Sequence, residues 1–191
     1  MKKRQFLTAA TFAAGAFPAF AHAARKPGPG PALLTLTGAI SKVNRGRFDP
    51  VLDQMMHKHK LTFEKARAFD FEALASLPAL TIHPTLEYDA KVHALRGPAL
   101  ADVMKAAGAS ITDGSKLVLR AVDGYAATLN AAQAQRFIVA THLDGQPMAL
   151  GGLGPLWAIH DADRLPEQAA KPLAQRFANC PWALYHIDVQ A

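Results

Sequence analysis

The 191-residue sequence contains one cysteine, and that scarcity removes several classes at once. A lone thiol cannot build a disulfide framework, nor an all-cysteine zinc or iron–sulfur site within one chain. No HExxH or paired-cysteine spacing is present, so a dedicated zinc site has no support in the sequence. A Gly-x-Ser-x-Gly elbow and a phosphate-cradling glycine loop are equally missing. With 50% hydrophobic and 19% charged residues, 13 glycines and 13 prolines, the chain is neither collagen-like, low-complexity nor wholly disordered.

The formal charge of +6 suggests an anionic partner until its location is considered. Lys2, Lys3 and Arg4 precede an apolar stretch from Phe6 to Phe20, and Ala21-His22-Ala23 supplies a small-x-small cleavage pattern. Residues 1–23 therefore read as a signal peptide, with an apolar stretch short of the roughly 20 residues a spanning helix needs. Lys3-Arg4-Gln5-Phe6-Leu7 resembles the twin-arginine export motif with lysine in the first arginine position, which leaves that route and the ordinary secretory one both open. Cleavage after Ala23 leaves 18 basic against 15 acidic side chains, or +3, too little to argue for nucleic acid. The expectation is a periplasmic protein with no membrane span after cleavage, in which Cys180 is buried.

Residues 24–32 form a spacer, because Pro27-Gly28-Pro29-Gly30-Pro31 can propagate neither helix nor ladder. Residues 33–191 read as one α+β domain of mixed β-sheets with a few short helices and no βαβ rhythm. Leu34–Thr37 alternates with period two and predicts the first strand, closed by Gly38. Asp49-Pro50 predicts an N-cap and first helical position, with Val51, Leu52, Met55 and Met56 on one face. A helical turn is expected over Glu72–Leu77, strands over Ala79–His83 and Lys91–Leu95, and a helix from Pro98 to Ala107 stopped by Gly108. Lys116–Val122 and Tyr125–Leu129 read as strands around an Asp123-Gly124 turn, and Asn130 caps a short helix. Asp144-Gly145 marks a hairpin between Phe137–Leu143 and Met148–Leu150; Leu156–Ile159 and Leu184–Val189 are the last strands.

Met55-Met56-His57-Lys58-His59 offers thioethers and imidazoles suited to copper, yet helical spacing turns His57 away from the rest. A core-facing methionine pair beside a solvated basic end is the favoured account, with copper handling a weaker alternative. Arg120, Asp123 and Tyr125 are candidate pocket residues around the Asp123-Gly124 turn, Tyr125 for a hydroxyl that can orient a ligand.

Three blocks in order resemble the molybdopterin-binding oxidoreductase domain, the fold of the sulfite oxidase catalytic domain. The first is Phe69-Asp70-x-x-x-Leu74-x-x-Leu77-Pro78, and the second Leu95-x-Gly97-Pro98-x-Leu100-x-Asp102-Val103 followed by Gly108-Ala109. The third runs Val122-Asp123-Gly124-Tyr125, Val139-Ala140, Asp144-Gly145 and Gly154-Pro155-Leu156-Trp157, with Trp182 before a terminal strand. The match spans about residues 33–190 and implies a sulfite-oxidase fold with Gly154 and Trp157 near a cofactor or ligand pocket.

The resemblance also implies molybdenum held by the pterin dithiolene and by a cysteine thiolate in the loop after Leu80-Thr81-Ile82-His83. Here that loop reads Pro84-Thr85-Leu86-Glu87, without cysteine. No hard oxygen donor reproduces a thiolate, and the resemblance gives Cys180 no ligand role. The arginine that generally follows the glycine-proline loop is replaced by Leu156-Trp157, with Arg164 the nearby substitute. His83, at a strand end, can in principle bind a metal, but a histidine hydrogen-bonded at a sheet edge is the favoured account.

The sequence is therefore read as an exported domain without a molybdenum centre and with no protein metal site. It would bind a small molecule or a periplasmic protein partner as an accessory or sensory module. An active molybdopterin-dependent oxidoreductase with an altered ligand set is the alternative. Pocket candidates are His83, Arg120, Asp123, Tyr125, Gly154 and Trp157.

Overall fold

The structure is a computed structural model and describes residues 30–190. The predicted signal peptide, residues 1–23, and all of the predicted spacer before Gly30 lie outside the described residues.

The strand predicted at Leu34–Thr37 forms as β1 (Leu34–Gly38), and its partner comes from the far end of the chain. It pairs in parallel with β11 (Leu184–Gln190) and antiparallel with β2 (Arg67–Phe69). β5 (Lys116–Ala121) and β6 (Ala126–Asn130) complete a five-stranded sheet in the order β2-β1-β11-β5-β6. Strand periodicity sends Leu34, Leu36, Leu117, Leu119, Leu129, Ile187 and Val189 into one apolar core. Each fully buried aliphatic side chain there contributes about 1.5–3 kcal/mol of transfer free energy.

The opposite side of that core is closed by two smaller sheets. β3 (Ala79–Ile82), β4 (Leu95–Pro98), β8 (His142–Leu143) and β9 (Gln146–Pro147) form one, in that order. β7 (Phe137–Ala140) and β10 (Trp157–His160) form the other. Helix α3 (Leu100–Ala106) seats Leu100, Val103 and Met104 in the same core. It ends as predicted at Gly108, with φ +68°: the Gly108 and Ala109 amides return to the Lys105 and Met104 carbonyls in a Schellman closure. Asp70 caps α2 (Phe71–Ala75) through the Ala73 amide at 2.8 Å. Asn130 and Gln133 form a reciprocal capping box on α4 (Ala131–Ala134).

Several local expectations are corrected. Asp49 does cap a turn, accepting from the Val51 and Leu52 amides, but α1 spans Gln54–Lys58. Val51 and Leu52 are 73% and 80% exposed, so they share no buried face with Met56. The strand expected at Lys91–Leu95 lies instead at Leu95–Pro98, where β3 and β8 supply its partners. Asp144-Gly145 makes the expected hairpin turn, but its arms are the short β8 and β9 and exclude Met148–Leu150. β7 turns at Thr141 into a different sheet, which a continuous apolar run does not announce.

The second face of the five-stranded sheet is covered by the segment containing α1. Met56, Leu61 and Tyr185 form a small apolar centre there, with Phe48, Phe63 and Val122 packed against it. Beside it lies a polar layer built from Thr35, Thr37, Arg120, His186 and Asp188.

Candidate functional site

Where β10 begins, the chain from Pro181 to Leu184 runs alongside it. The Ala158 amide donates to the Pro181 carbonyl at 3.1 Å, the Leu184 amide to Leu156 at 2.9 Å, and Trp157 faces Trp182 across an antiparallel bridge. Two aromatic side chains then fix the turn at Phe177–Cys180. The Trp157 indole N–H donates to the Cys180 carbonyl at 2.9 Å, and the Tyr125 hydroxyl donates to the Ala178 carbonyl. The loop after β3 closes the third side, pinned by the Thr85 amide to the Asp163 carboxylate at 2.7 Å.

These pieces enclose a cavity of about 290 Å³. Its floor is Trp157, 1% exposed, with the Phe177 ring 6.3 Å away and the Tyr88 ring at 6.4 Å. Tyr88, Tyr125 and Trp182 stand around it at 55%, 45% and 37% exposure. They are the most exposed aromatic side chains among the described residues, and all three converge on this cavity. Glu87 and Asp123 supply its charge, and no lysine or arginine lines it. Burial, reinforced by the Glu87 carboxylate, holds the Tyr88 hydroxyl protonated above its ordinary range.

Of the residues singled out in the sequence, the structure brings Asp123, Tyr125 and Trp157 together here. His83 is exposed and outside the lining, with its amide on the Asp161 carboxylate at 3.4 Å. Arg120 points to the other face of the sheet, since Leu119 and Ala121 flank it on the core side. Gly154 serves packing: a Cβ there would stand 2.5 Å from the Met148 Cβ and 2.6 Å from its carbonyl oxygen. Arg164 pairs with Asp161 and does not reach the cavity. The copper candidates diverge, with Met56 buried, His57 stacked on Phe48 and the His59 ring bonded to the Tyr185 hydroxyl at 2.6 Å.

Sequence reasoning missed Tyr88, Phe177 and Trp182 as lining residues. Their signal was available: bulky aromatics in proline-rich stretches that support neither helical nor strand periodicity.

Cys180 is buried as expected, and it lies at the cavity wall. His160 Nε2 faces the Arg176 carbonyl at 3.2 Å, and a carbonyl can only accept. Burial keeps that imidazole neutral, so Nδ1 carries the lone pair and takes the Cys180 S–H at 3.5 Å. Burial also pushes the thiol up to about 12.

No family model matches the chain, and no curated protein does. Among solved structures, the chain is similar to the sulfane dehydrogenase SoxCD from Paracoccus pantotrophus, with a TM-score of 0.51 and 11% identity. The likeness covers 82% of this chain and 37% of that one. It shows the fold. The chain is an α+β domain whose fold resembles that of this neighbour, and it spans little more than a third of the neighbour's length.

The residues present do not fit a molybdopterin. Glu87 and Tyr88 occupy the loop from which the resemblance draws the metal thiolate, and the one sulfur at the wall, Cys180, comes from a different segment to which the resemblance gives no ligand role. The cavity lining carries two carboxylates and no cation, a poor match for a phosphate. Among the described residues, no group of three or more His, Cys, Asp or Glu side chains is arranged to hold a metal ion.

Proposed function

We propose that this chain is an exported small-molecule-binding module on a sulfite-oxidase-type scaffold, acting in the periplasm without a molybdenum centre. The observation that carries the reading is the convergence of Tyr88, Tyr125 and Trp182 on one cavity floored by Trp157. Water-exposed aromatic surface is unfavourable for stability, and its concentration at one concave site marks a place where something binds. At about 290 Å³ the cavity lies near the lower end of the roughly 300–1,000 Å³ typical of ligand pockets, which suits a small ligand. Export rests on the basic start, apolar stretch and Ala21-His22-Ala23 pattern.

The test is elemental and mass-spectrometric analysis of the protein purified from the periplasm of its own host. The expected result is molybdenum far below one atom per chain and no pterin released on denaturation. Near-stoichiometric molybdenum with a pterin would overturn the reading in favour of an oxidoreductase with an altered ligand set.

A further inference from the structure

We infer that the cavity is a receptor for a small organic cation of the alkylated or quaternary ammonium type; this rests on the ligand-binding reading and names its ligand class. Glu87 and Asp123 are the charged groups lining the cavity, and neither enters an ion pair among the described residues. The Cys180 thiol beside them is neutral. The cavity therefore presents uncompensated negative charge to whatever enters.

The aromatic wall strengthens the same preference. Two of its polar handles are already committed to the backbone, the Trp157 N–H to Cys180 and the Tyr125 O–H to Ala178. What these side chains offer a ligand is ring surface. A ring quadrupole attracts a cation, and most strongly one whose alkyl groups make it easy to dehydrate. An anion finds like charge here, and a sugar finds few free donors to match its hydroxyls. A hydrophobic cation uses both halves of the site at once.

The chain's two tryptophans, Trp157 and Trp182, both line the cavity, so intrinsic fluorescence reports its occupancy directly. The experiment titrates the full mature chain with choline, with its neutral isostere 3,3-dimethyl-1-butanol, and with maltose and sulfate. The expected result is a saturable change with choline, at least about tenfold tighter than with the neutral isostere, and weakened by added salt. The Glu87→Gln, Asp123→Asn double variant is expected to lose about tenfold in choline affinity. Asparagine retains the Asx bond that Asp123 makes to the Tyr125 amide at 2.9 Å, so the turn survives. Equal binding of the isostere or of maltose, or no loss in the double variant, would overturn the cation assignment and leave ligand binding standing. No saturable change with any probe would overturn the inference outright. Molybdenum and pterin in the native protein would instead overturn the reading beneath it.

Discussion

Two polar regions of this molecule contain residues that the sequence offered as site candidates, and they differ in what surrounds them. Around Trp157, carboxylates and ring surface face open space. Around His186, the polar groups face each other and are sealed between the sheet and the α1 segment. Thr37 Oγ1 gives its single proton to Asp188 at 3.0 Å, so His186 Nε2 must donate to that hydroxyl, also at 3.0 Å. This fixes the tautomer and leaves His186 Nδ1 as a buried acceptor without a partner, near the similarly unpartnered Arg120 Nη1. His186 is 1% exposed, and no cavity is lined by it or by Arg120 among those described. The lesson is that a polar residue type in a suggestive position marks a binding site only where the fold also leaves room beside it. Arg120 belongs to the architecture, while Asp123, three residues on, belongs to the cavity.

The largest effect separating the regions concerns Trp157, which belongs to the main core as well as to the cavity. Trp157→Ala is expected to cost about 3–5 kcal/mol in urea unfolding, whereas Tyr88→Ala, at an exposed rim, should change stability by less than about 0.5 kcal/mol. Comparable losses from both would mean that the rim is structural and would erase the contrast.

The next effect belongs to the sealed layer. Burial, with the Arg120 guanidinium adding to it, lowers His186 to about 4. The unfolded chain therefore binds a proton between pH 6.5 and 4 that the folded chain refuses, and stability falls as pH drops through that window. The full loss is about 3 kcal/mol. Measured by urea unfolding, the wild type should lose about 3 kcal/mol relative to His186→Gln between pH 7 and pH 4, whatever the offset between the two at neutral pH. Parallel pH curves for the two would contradict the assignment.

Much of the contrast was hidden in the sequence for identifiable reasons. The alternation in Leu34–Thr37 and Lys116–Ala121 marks strands, but it cannot say that Thr35 and Thr37 are buried too, because their cover comes from the segment containing α1, which the strand's own pattern does not announce. The parallel pairing of β1 with β11 joins Thr35 to His186 across nearly the whole domain, beyond the reach of any local pattern. Gly97-Pro98 reads as a turn and obscures β4, whose place is set by pairing with β3 and β8. The caps were legible because their chemistry is local, as at Asn130 and Gly108.

A smaller part of the cavity was legible on the same terms. Asp123, Tyr125 and Trp157 sit in ordered blocks that carried the resemblance, and the loop after β3, singled out for its lack of cysteine, supplies Glu87 and Tyr88 to the lining. Phe177 to Trp182 lie in an irregular stretch whose course is set by tertiary hydrogen bonds to Trp157 and Tyr125. No periodicity encodes such a path.

The most direct measurement is an NMR titration of the ¹⁵N-labelled protein with choline, read at the two indole N–H resonances and the backbone amides. The account predicts saturable shifts of Trp157 and Trp182 together with Glu87, Tyr88, Tyr125 and Ala178, while Thr37, Arg120 and His186 stay in place. Shifts centred on that second group, or none that saturate, would contradict it.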